Sequence, residues 1–187
     1  MTRLLPVLFF IFMSTSITVA QSQDTQAIKA ALEDYLTAVK ARDIDKILDF
    51  MPPKMFEMAS RAQMKEELSQ GDLKNITFKK TAVRGVSSVV KHNKSKYAVV
   101  KYFSEAVLQL PKKDESKMES MVMVMKSMLG KDNVKLNKAK RQITMSVDSE
   151  LYAILSPGVK GWKFIQKDKD SEGFLEKVVP KEVQDKF

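Results

Sequence analysis

Near residue 75 the spacing of apolar side chains changes from about 3.6 residues to 2, and this switch limits the chain to helices first and sheet afterwards. Before it, Ile28, Ala31, Leu32, Tyr35, Leu36 and Val39 recur at helical spacing over residues 24–41, with Asp24 or Thr25 as the expected N-cap. Asp43 is placed to cap a short second helix in which Ile44, Ile47 and Leu48 face one way. Pro52-Pro53 ends it, because a residue before proline is pushed out of helical geometry. Residues 54–68 then read as a third helix through Met55, Met58, Ala59, Ala62 and Leu68, closed by Gly71.

After the switch, Ile76, Phe78 and Lys80 open a strand that continues through Val83 to Val90, with Gly85 as an expected bulge. His92-Asn93-Lys94-Ser95 reads as a hairpin turn. The run Tyr97 to Leu110 is too long for a simple half-buried strand, so it is expected to bend or to be covered on both faces. Residues 112–117 read as a charged loop, and Lys117 to Leu129 as an inserted helix stopped by Gly130. Strands are expected at about 138–147, at 151–155 and at 162–165, with Asp148-Ser149 placed in a strand or in the turn between the first two. The end of the chain, Phe174 to Phe187, reads as a short helix or docked segment around Pro180.

The first twenty residues have the parts of a secretory leader: Arg3, the apolar run Leu4 to Met13, and Thr18-Val19-Ala20 before Gln21. The domain expectation is therefore a signal peptide over 1–20 and one domain over 21–187, with a C-terminal tail at 169–187. The expected location is outside the cytoplasm, in a periplasm or the extracellular medium. No later stretch has the roughly 20 apolar residues needed to span a bilayer.

Composition excludes several chemistries. With no Cys, the chain has no disulfides, thiolate metal sites or cysteine nucleophile. With His92 alone, no site can use two imidazoles. The net charge of +9 comes mostly from scattered Lys with Asp and Glu between, while Arg occurs only at 3, 42, 61, 84 and 141. That pattern describes a solvated surface and not a nucleic-acid reader. There is no Gly-rich phosphate loop or nucleophile elbow, and no cofactor is expected.

The element order resembles that of the nuclear-transport-factor-2-like (cystatin-like α+β cone) family, over most of residues 24–168. The segments that carry the resemblance are Ile28–Val39 with Arg42-Asp43-Ile44-Asp45-Lys46-Ile47, then Met51-Pro52-Pro53-Lys54-Met55-Phe56, and the last strand Gly161-Trp162-Lys163-Phe164-Ile165. The chain is similar to the small exported bacterial members. The resemblance implies an α+β fold with N-terminal helices in the concave face of a curved antiparallel sheet, and a pocket between the first helix and that sheet. It also implies pairing through the open sheet face, so a homodimer is expected by analogy. The family includes isomerases, cyclases, dehydratases and non-catalytic binders, and its enzymes use an Asp or His base with a Tyr or protonated carboxyl donor.

Tyr35, on the apolar stripe of the first helix, is expected to point into that pocket, with Tyr102, Tyr152 and Trp162 as further wall residues. His92 falls in a turn, Asp34 lies beside the stripe, and no two acids are spaced to act as acid and base. Met118, Met121, Met125 and Met128 follow i, i+3, i+7, i+10 spacing and form one face of a helix that either packs on the domain or serves as a lid or interface. Thioethers also suit Cu(I), but no His stands near them and no metal site is expected. The function expected is non-catalytic binding of a small apolar ligand or an envelope protein partner. The alternatives are an isomerase or dehydratase in the same pocket, or a structural envelope protein with a filled cone.

Overall fold

The computed structural model describes residues 15–70, 72–167 and 172–187. Its helices are α1 (Thr15–Ala41), α2 (Ile44–Asp49), α3 (Met55–Met58), α4 (Arg61–Gln70), α5 (Met118–Leu129), α6 (Glu172–Val178) and α7 (Lys181–Gln184). Its strands are β1 (Ile76–Val86), β2 (Val90–His92), β3 (Ser95–Gln109), β4 (Val134–Asn137), β5 (Gln142–Leu155) and β6 (Lys163–Gln166). The fold is α+β, with N-terminal helices against a curved, unclosed antiparallel sheet of six strands. Residues 1–14 of the expected leader, and the expected stop at Gly71, lie outside the described residues. No helix among the described residues is long and apolar enough to cross a membrane.

The sheet is built on the β3–β5 pair, which runs without interruption from Lys96 opposite Leu155 to Gln109 opposite Gln142. β1 flanks β3 and β4 flanks β5, while β2 and β6 extend those two edges. A register shift between Val83 and Gly85 marks the expected bulge. Asn93 and Lys94 both have positive φ (45° and 64°), so the expected hairpin turn takes the primed geometry that matches strand twist.

α1 starts earlier than the capping signal at Asp24 suggested. No Gly or Pro interrupts residues 15–28, and the Asp24 carboxylate bonds the Lys96 ammonium at 2.8 Å instead of capping. The segment expected as one helix over 54–68 is two. Ala59 is extended, and Ser60 starts α4 with a capping box in which Ser60 N–H donates to Gln63 Oε1 and Gln63 N–H to Ser60 Oγ. α4 buries no side chain, and Ala62 is exposed; Arg61–Asp49 and Lys65–Asp45 ion pairs, each 2.7 Å, tie it to α2. Residues 112–117, expected as a loop, form a 3-10 turn. The expected break at Asp148-Ser149 is absent, because both residues stay in the ladder opposite Phe103 and Tyr102.

Three apolar clusters hold these layers together. On one sheet face, Ala98, Val100, Leu151 and Ala153 pack under Ile28, Leu32 and Leu36 of α1. The opposite face, through Tyr97, Val99, Tyr152 and Ile154, is covered by Leu175, Val178, Val179 and Val183 of the tail. The tail is therefore why four consecutive residues, Tyr97 to Val100, are all buried. At the far end of the sheet, Met118 and Val122 of α5 close over Leu108, Val134 and Ile143.

Candidate functional site

A cavity of about 330 Å³ lies between the C-terminal half of α1, α2, the end of α4 and the β1–β3 side of the sheet. That is within the lower part of the range for small-molecule pockets, about 300–1,000 Å³. α1 supplies Tyr35, Leu36 and Val39, whose i, i+1, i+4 spacing places them on one helix face, and Arg42 follows just past the helix end. At 1.5 Å per residue these three positions span about 6 Å along the axis. Ile44 and Ile47 come from α2, and Phe78, Tyr102 and Ser104 from the sheet. Side chains change from buried (Leu36, Ile47) to exposed (Arg42, Ser69, Lys74), so the cationic end is the mouth.

Tyr35 stands at the inner end, against Phe50 and Phe164 at ring-centroid distances of 5.8 and 5.7 Å. Burial pushes its phenol up to about 12, and the neighbouring Tyr102 adds to the rise. Burial also raises Tyr102, opposed by a hydrogen bond from Ser149, its partner on β5. Both phenols are neutral at physiological pH and offer O–H donors.

Tyr35 links folding to alkaline pH, with a definite sign. Its folded pKa lies above the ordinary value of 10.0, so its contribution is full below pH 10 and is lost as pH rises toward about 12. The loss is expected to approach about 2–3 kcal/mol. In urea titrations between pH 9 and 12, Tyr35→Phe should flatten this part of the stability curve relative to wild type. Parallel curves would show that the phenol ionises freely.

Arg42 occupies an unusual backbone position. Its N–H donates to Val39 O and the next N–H, of Asp43, donates to Ala38 O, the two bonds of a Schellman closure. Glycine is the usual residue there, yet Arg42 takes φ 56°. An L residue in this region costs about 1–2 kcal/mol. Its guanidinium donates to the Ile76 carbonyl at 2.8 Å, bridging α1 to the start of β1 at the cavity mouth. Asp43 then caps α2 by accepting from the Lys46 N–H at 3.1 Å.

Two of the four expected wall residues, Tyr35 and Tyr102, line this cavity. Trp162 is buried in the cluster beneath α1, a core residue and not a wall. Tyr152 lies on the opposite sheet face, with its ring 6.1 Å from that of Phe187. The methionine helix also forms, but its inward face is Met118, Met121, Val122, Met125 and Leu129. Met128 is 78% exposed, with Met123 at 73% and Val124 at 58%. α5 packs on the far end of the sheet and contributes nothing to the cavity wall, so it is not a lid over Tyr35.

The acids are engaged elsewhere. Glu150 bonds Lys101 and Lys167, each at 2.9 Å, and those lysines hold its carboxyl below the usual range. Asp148 pairs with Arg84 at 3.4 Å on the surface. His92 sits in the hairpin with its ring nitrogen 2.9 Å from the Asn93 amide. No Asp, Glu or His is found among the described lining residues, and among the described residues no cluster of three or more metal-ligating His, Asp or Glu occurs. The sequence reading missed Arg42, Lys74, Phe78 and Ser104. No helical periodicity could have pointed to Arg42, because it lies past the end of α1 at φ 56°.

No family model matches the chain, and no curated protein matches it. Among solved structures it is similar to a protein of Streptomyces avermitilis described as a candidate dehydratase of the NTF2-like family. The likeness covers 77% of this chain and 93% of that one, at 12% identity and a TM-score of 0.39. It is a likeness of general architecture, and no site residue is carried over from it. The observed architecture is itself consistent with the nuclear-transport-factor-2-like cone that the sequence resembles.

Proposed function

We propose that this chain is an exported, non-catalytic binding domain that takes a small apolar ligand into the cavity beside Tyr35. One observation carries the reading: the cavity is walled by Leu36, Val39, Ile44, Ile47 and Phe78, with two neutral phenols and no acid or imidazole among its described lining residues. Such a space favours burial of apolar surface, with the hydroxyls fixing orientation. Proton abstraction needs a base within hydrogen-bond reach of the substrate, and the phenols are held in their acid form. The filled-cone alternative has no place for a hollow of about 330 Å³.

Titration with 1-decanol, followed by calorimetry, tests the reading. Saturable one-to-one binding is expected, with a negative heat-capacity change from apolar burial. Absence of binding by decanol and by other apolar probes of that size would overturn it. Export is tested by the mass of the mature chain. Removal of residues 1–20 leaves Gln21 first and keeps the buried stripe of α1, which begins at Ile28. An intact Met1 on secreted material would contradict cleavage.

A further inference from the structure

We infer that the ligand of this cavity is an anionic amphiphile, an apolar chain ending in a carboxylate or phosphate head that sits between Arg42 and Lys74. The inference rests on the binding reading above and specifies its chemistry. The cavity is polarised along α1: aromatic and aliphatic side chains surround its inner end, and both charged side chains of its described lining, Arg42 and Lys74, stand at the mouth. Among the described residues neither cation forms an ion pair with a carboxylate.

Arg42 carries most of the argument. A non-glycine residue at φ 56° in this helix closure carries backbone strain, which its bond to Ile76 offsets in part. The position has a use for the guanidinium. One of its nitrogens is anchored on the Ile76 carbonyl, which leaves other N–H donors to meet a head group. Ser69 and Ser104 add hydroxyls to the same lining. The cavity volume of about 330 Å³ sets the scale of the apolar body that the hollow accepts.

The test compares decanoate, decyl phosphate and 1-decanol, each below its micellar range, binding to the full chain at low and high salt. Arg42→Gly and Lys74→Gln are measured alongside wild type. At least one of the two anions is expected to bind tenfold or more tightly than decanol, with the advantage shrinking at high salt. The tighter of the two names the head. Arg42→Gly should remove that advantage, lowering affinity for the anion at least tenfold more than affinity for decanol. Glycine relieves the local backbone but gives up the bond to Ile76, so the thermal transition of each variant is measured alongside to separate lost binding from lost folding. Equal affinities for anion and alcohol would overturn the inference and leave the cavity reading intact. Failure of all three probes to bind would overturn both.

Discussion

Replacing Val179 with aspartate is expected to destabilise the protein by about 3–5 kcal/mol, the cost of a buried charge without a partner. Val179 is fully buried, and it lies with Leu175, Val178 and Val183 against Tyr97, Val99, Tyr152 and Ile154. That surface belongs to the central strand pair, so exposing it would uncover the back of the sheet and not just loosen a terminus. Against a total stability of about 5–15 kcal/mol, the variant should show a clear drop in the urea midpoint or fail to fold at working temperature. Glu182→Gln on the exposed side of α7 serves as the control and should stay within about 0.5 kcal/mol of wild type. A Val179→Asp protein as stable as the control would mean that the tail is not part of the core.

The second large effect falls on binding. Val39 is half-buried and lines the cavity beside Leu36, so a larger side chain there has space to enter. Val39→Trp is expected to occupy the hollow and weaken binding of 1-decanol at least 100-fold, about 2.8 kcal/mol. Stability should change far less than binding, because the indole fills space that solvent or ligand otherwise takes. Calorimetry and a urea titration on the same sample separate the two. Undiminished decanol affinity in this variant would place the ligand elsewhere on the molecule.

Features set by near neighbours in the chain were legible from the residues alone. The α1 stripe, the Asp43 cap, the Asn93-Lys94 turn, the Gly130 stop (φ 95°) and the last strand all depend on local spacing and capping, and all are present. What was misread depends on register and on long-range partners. Tyr152 is among the expected wall residues, but the sheet face it occupies is set by the register of β5 on β3. With β5 continuous, Tyr152 opposes Val99, and its neighbours Leu151 and Ala153 face α1 instead. Met128 fails for a geometric reason. Ten residues at 3.6 per turn leave it about 80° away from Met118, so Val122 and Leu129 take the inward stripe. Ser60-Arg61-Ala62-Gln63 was a readable capping box, but the apolar spacing across it suggested one helix.

The pocket itself was legible only as an expectation of the cone architecture. Its aromatic end follows from Tyr35 on the α1 stripe. Its cationic mouth does not, because Arg42 and Lys74 are brought together only when the α1 C-terminus meets the start of β1 through the Arg42–Ile76 hydrogen bond. Charge counting could not find them among 32 basic residues spread along the chain.

Methyl-resolved NMR of the protein titrated with 1-decanol tests the central claim most directly. Saturable shifts are expected at Leu36, Val39, Ile44 and Ile47, with Val124 and Met128 on the exposed side of α5 unmoved. Shifts confined to α5, or spread over the surface without saturation, would contradict it.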